Sequence, residues 1–167
     1  VRALARDLTS PDELEALVRE VTDLELGLLV CNAALSPIGE FLARPIAEHR
    51  ALLDLNCRAP MELVHALGPQ LVSRGRGGIV IMSSLAGLQG TALTAHYSAS
   101  KAYLRVLAEG LWAELGPRGV DVTCCLAGPK ETPTWRSTGA TRPLDFPAVQ
   151  SAREVVDATL AALGKTP

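Results

Sequence analysis

The sequence predicts an α/β fold on a parallel, doubly wound sheet, and three observations carry that expectation. Residues 26–34, 79–82 and 120–126 are continuous apolar runs, the composition of strands covered on both faces. The long segments between them carry apolar residues at helical spacing. Ser10-Pro11 and Gly116-Pro117 supply helix start and stop signals. Strands alternating with helices specify a parallel sheet, and such sheets bind ligands beyond the carboxyl ends of their strands.

Taken in order, residues 1–4 are a short apolar run read as the end of a strand, with Asp7 in the turn after it. Ser10 is the expected N-cap of a helix that carries Leu14, Leu17, Val18 and Val21 on one face. The run at 26–34 is a strand expected to be buried on both sides. After a loop with Ser36, Pro37 and Gly39, residues 46–73 are helical in pattern. Pro60 interrupts them. It has no N–H for the Asn56 carbonyl, so a bend is expected there and that carbonyl is left for another partner.

Residues 74–78 form a turn before the strand at 79–82. The helix expected at 97–115 has two apolar faces, one through Tyr97, Leu104 and Leu111 and one through Ala99, Tyr103 and Val106. Two such faces need cover on more than one side, which points to a subunit interface. After the strand at 120–126, residues 128–147 hold Pro129, Pro133, Pro143 and Pro147 among polar residues, with Trp135 as a large anchor. That length suits a substrate-binding loop. A helix over 152–163 closes the chain.

With 167 residues the chain is read as a single domain, and its net charge of −2 gives no reason to expect nucleic acid or an anionic membrane as partner. No apolar run has the length of a membrane span, and a cytoplasmic location is expected. Cys31, Cys57, Cys124 and Cys125 lack metal-ligand spacing and are read as structural thiols. His96 is read as an exposed residue at a helix start, and His49 and His65 as surface or partly buried helix residues.

Tyr97 and Lys101 lie four residues apart, on one face of a helix. An ammonium beside a phenol stabilises phenolate, so the pair is expected to exchange a proton with an alcohol or carbonyl oxygen, with Ser84 hydrogen-bonding the same oxygen. Hydride transfer, the other half of a carbonyl reduction, needs a cofactor.

On these residues the chain resembles the classical short-chain dehydrogenases/reductases. Tyr97 to Lys101, YSASK, is similar to the family's YxxxK; Ser84 stands where its catalytic serine does, and Asn56 matches the asparagine whose main-chain carbonyl holds a water. CNAA, with Asn32, Ala33 and Ala34, is similar to the NNAG that lies against the cofactor, although Cys31 and Ala34 depart from it. AGPKET resembles the PGxxxT segment, with Gly128 and Thr132 in place and Ala127 where the family has proline. Asp7 matches the acid that reads the adenine amino group.

The resemblance implies a Rossmann-like fold, NAD or NADP as cofactor, and a homodimer or homotetramer. The substrate would be a small-molecule alcohol or ketone held by Ser84, Tyr97 and Trp135, with Lys101 also on the nicotinamide ribose. Residues 1–167 are expected to form one partial domain, without the family's first two strands, its Gly-rich turn or its last strand. Three readings stay open: an NAD(P)-dependent oxidoreductase, a non-catalytic module that does not hold the dinucleotide alone, or another reaction such as epimerisation or dehydration on the same scaffold.

Overall fold

A computed structural model describes residues 1–128 and 150–167. The sheet is assembled around its central strand. β2 (Gly77–Ser84) pairs in parallel with β1 (Leu28–Cys31) on one edge and β3 (Val120–Ala127) on the other. The register sets Val30 beside Val80 and Val80 beside Thr123. The α/β fold with a parallel sheet is therefore as the sequence predicts.

α1 (Pro11–Val21) starts where Ser10 accepts a hydrogen bond from the Glu13 N–H. It packs on α3 (Ala59–Arg74), which with α4 (Ala95–Leu115) covers one face of the sheet. There Leu29, Ile79, Ile81, Val120 and Val122 meet Leu67, Leu71, Leu104 and Ala108 in a continuous core. α5 (Ala152–Ala162) packs on β3, and the Thr123 hydroxyl donates to the Thr166 carbonyl at 3.1 Å.

Three expectations need correction. Residues 1–4 form no strand: among the described residues β1 pairs only with β2, and the apolar run at 1–4 joins no ladder. β1 is shorter than expected and buried on one face only: Leu28 and Val30 are 37% and 50% exposed. Among the described residues it is an edge strand, with α3 and α4 on one side and exposed side chains on the other. The helix expected over 46–73 is two, α2 (Ile46–Leu53) and α3, joined by a π-turn (Asp54–Arg58). The Ala59 N–H reaches back to the Asp54 carbonyl, the wide turn that lets the chain pass Pro60 without a clash.

A fourth concerns β2, which ends in Ser83 and Ser84 but begins two residues earlier than expected, at Gly77, inside the turn read at 74–78. α4 ends as the sequence indicates, in a 3-10 turn (Gly116–Arg118) before Gly119. Gly119 has φ +79°, and a Cβ there would collide with the Gly75 carbonyl oxygen, so both conformation and space require glycine. No helix among the described residues is long and apolar enough to cross a membrane. The cysteines are free, with Cys31 buried and the others half-buried.

Candidate active site

The carboxyl end of β2 and the first turns of α4 are locked together. The Ser83 hydroxyl donates to the Lys101 carbonyl at 2.7 Å within the core. Gly87, in the 3-10 turn (Leu85–Leu88), lies so close to α4 that a Cβ would stand 2.7 Å from the Lys101 carbonyl carbon. That contact sets Ser84 against Tyr97. The Ser84 Oγ accepts from the Ala86 N–H at 3.2 Å, which leaves its own O–H to donate.

Tyr97 is half-buried and Lys101 is 3% exposed. The Lys101 Nζ donates to the Met82 carbonyl at 2.9 Å and lies 5.8 Å from the centre of the Tyr97 ring. Burial pushes the Tyr97 phenol above its ordinary value, and a hydrogen bond with Ser84 acts against that rise. The net direction is the reverse of the lowering expected from Lys101, because desolvation of the phenolate dominates.

Asn56 is fully buried on the π-turn. Its Oδ1 accepts from the Leu35 N–H at 2.8 Å, and its Nδ2 donates to the Leu35 carbonyl at 2.9 Å and the Ser100 Oγ at 3.0 Å. Ser100 donates in turn to the Tyr97 carbonyl at 2.7 Å. The side chain thus joins the β1 end to the Tyr97 turn of α4, a role that the sequence did not reveal. The expected role belongs to its main-chain carbonyl, which receives no N–H from Pro60.

Asn32 and Ala33 form an exposed ledge after β1, and Ala34 is half-buried. Gly128 follows β3, with Leu85 3.6 Å from where its Cβ would be. Asp7 has its Oδ1 held by the Thr9 N–H at 2.9 Å and the Thr9 hydroxyl at 2.7 Å, and these bonds lower its pKa. Its second oxygen takes no hydrogen bond among the described residues. Thr132, Trp135 and the rest of the expected substrate loop after Gly128 lie outside the described residues. The structure brings Ser84, Tyr97 and Lys101 together at the carboxyl end of β2, and Asn56 links the Tyr97 turn to Leu35 beside the ledge.

One pairing was missed. His49 is buried, and its Nδ1 lies 2.8 Å from the Nδ1 of His96, which is half-buried rather than exposed. Nothing in the local pattern at 49 or 96 signals a contact 47 residues long. Together the residues suit a dinucleotide: an open backbone ledge, an exposed carboxylate whose second oxygen takes no hydrogen bond among the described residues, and a phenol and ammonium one turn apart. They hold no metal cluster, since no group of three or more ligating side chains exists among the described residues.

The model of the short chain dehydrogenase family matches residues 1–143. A 7beta-hydroxysteroid dehydrogenase of Clostridium sardiniense is 29% identical over 165 residues, which are 99% of this chain and 63% of that protein. A short-chain dehydrogenase from Sphingobium yanoikuyae, solved in complex with NADPH, superimposes with a TM-score of 0.87 at 32% identity, over 97% of this chain and 63% of the other. A bulky-bulky ketone specific alcohol dehydrogenase from Comamonas testosteroni does so with a TM-score of 0.81 at 28% identity, over 95% and 60%. The chain therefore spans somewhat less than two thirds of the length of these relatives.

Proposed function

The chain belongs to the short chain dehydrogenase family, and from that premise we propose that it works as an NAD(P)-dependent oxidoreductase that interconverts a secondary alcohol and a ketone. The observation that carries the proposal is the meeting of Ser84, Tyr97 and Lys101 at the carboxyl end of β2. A bound nicotinamide dinucleotide supplies or accepts the hydride. In reduction the Tyr97 phenol gives its proton to the substrate oxygen, and in oxidation the phenolate takes one back. Ser84, already accepting from Ala86, donates its hydroxyl hydrogen to the same oxygen.

Lys101 is assigned to the ribose hydroxyls and the Asn56 carbonyl to a water that returns protons from solvent. Asn32, Ala33, Ala34, Gly128 and Thr132 are assigned to the nicotinamide side, Asp7 to the adenine, and Trp135 to the substrate. Relatives named for hydroxysteroids and for bulky ketones support this substrate class. The outer face of α4, where Tyr103 and Val106 are 41% and 57% exposed, is proposed as the face on which a second copy packs.

Titration with NADH and NADPH, followed by nicotinamide fluorescence, is expected to show binding. Tyr97→Phe should keep that binding and lower turnover by roughly 10²- to 10⁴-fold. Unchanged turnover in Tyr97→Phe would overturn the mechanism. Failure to bind either dinucleotide would overturn the enzyme reading in favour of an interaction module on the same fold.

A further inference from the structure

The turn at residues 7–10 is tied to the body of the fold by a side chain far along the sequence. The Arg58 Nη2 donates to the Thr9 carbonyl at 2.9 Å, across 49 positions. The rest of the guanidinium is already fixed, with Nε on Asp54 at 2.9 Å and Nη1 on Glu62 at 3.0 Å. These carboxylates sit one helical turn before and after Arg58 and set the plane of the fork. The third direction of the fork is then aimed at Thr9, which a lysine ammonium on a flexible stem would not reproduce.

Thr9 in turn grips the Asp7 Oδ1 through both its N–H and its hydroxyl. Two residues before Arg58 on the same π-turn, Asn56 holds the Leu35 backbone next to the ledge at 32–34. One turn of chain therefore reaches two segments that meet nowhere in the sheet. Resting on the cofactor reading above, we infer that Arg58 is a positioning residue for the adenine end of the site. It holds the Asp7 turn at a set distance from the ledge to which Asn56 is anchored. Asp7 touches the ligand; Arg58 acts only through Thr9.

The test uses the whole chain and calorimetric titration with ADP-ribose and with nicotinamide mononucleotide. Arg58→Ala is expected to weaken ADP-ribose about tenfold, the loss of one charge-assisted hydrogen bond, and to leave the mononucleotide unchanged. In the Asp7→Ala background Arg58→Ala should add no further loss, because its effect passes through Asp7. Amide exchange at Thr9 and Ser10 should quicken while that at Leu35 holds. Arg58→Lys keeps the charge and serves with the same expectations if Arg58→Ala does not fold.

Equal weakening of both probes, or additive losses in the double variant, overturns the inference in favour of a general structural role. Wild-type binding of ADP-ribose with no change in either variant overturns this inference alone. No affinity of the wild-type chain for ADP-ribose overturns both it and the cofactor reading on which it rests.

Discussion

β1 and β2 are built from the same kind of sequence, LLVC and IVIM, and meet different surroundings. In β2, Ile79, Val80 and Ile81 are 0%, 2% and 0% exposed, so both faces are covered. In β1, Leu29 and Cys31 share the core under α3 and α4, while Leu28 and Val30 on the other face stand open. An apolar run thus states what a strand is able to bury, and its neighbours decide what it does bury. The contrast reaches the site, because β2 carries Ser84 on a strand fixed from both sides and β1 carries the ledge at 32–34 on an edge. Ile81→Ala should cost about 3 kcal/mol, and Val30→Ala should change stability by no more than about 0.5 kcal/mol. Urea unfolding measures both, and equal losses would remove the distinction.

The β1 end is held instead by Asn56, whose three side-chain hydrogen bonds reach Leu35 and Ser100. Asn56→Ala removes the partners of the Leu35 N–H and carbonyl and one of the two of Ser100, beside a buried gap, and should cost about 2 kcal/mol. Amide exchange should then quicken at Leu35 and stay slow at Ile81. A change spread evenly over both amides would mean that Asn56 supports the core rather than the ledge. At the β2 end the corresponding fastening is Gly87. Gly87→Ala sets a methyl against the α4 backbone and should cost about 1–2 kcal/mol and turnover with it. Gly90→Ala, with nothing within 4 Å, is the control and should do neither.

The same contrast explains what was legible. β2, α4 and the Ser84, Tyr97, Lys101 set are close in sequence, so spacing and helical geometry suffice to bring them together. Pro60 announced a disturbance near Asn56 but not its form, since a bend and a π-turn satisfy the same missing N–H. The open face of β1 and the unpaired run at 1–4 were illegible because cover and pairing come from elsewhere in the chain. The Asp54, Arg58, Glu62 ladder is readable at four-residue spacing, whereas the Arg58 bond to Thr9 depends on how α1 packs on α3. The rise in the Tyr97 pKa needed burial, which no motif carries.

The smallest expected effect concerns the loop that follows β1. The Gly39 N–H donates to the Leu93 carbonyl at 2.9 Å just before α4, and His49 on α2 joins Phe41 of that loop to His96 on α4. The His49 Nε2 lies 3.0 Å from the Phe41 carbonyl, which only accepts, so Nε2 donates, the neutral ring accepts at Nδ1, and His96 donates to it. Burial, then the neighbouring His49, lowers the His96 pKa below its ordinary 6.5. A depressed value means that the unfolded chain binds the proton more readily. The stabilisation is therefore complete above the ordinary value and lost as pH falls below it. Between about pH 7.5 and about pH 5 the melting temperature should fall by about 2 °C more in the wild type than in His96→Asn, which donates without titrating. Exchange at Gly39, corrected for its intrinsic rate, should quicken over that range while Ile81 does not. If both amides responded alike, acid would be loosening the sheet as a whole, and the β1 side would have no weaker hold than β2.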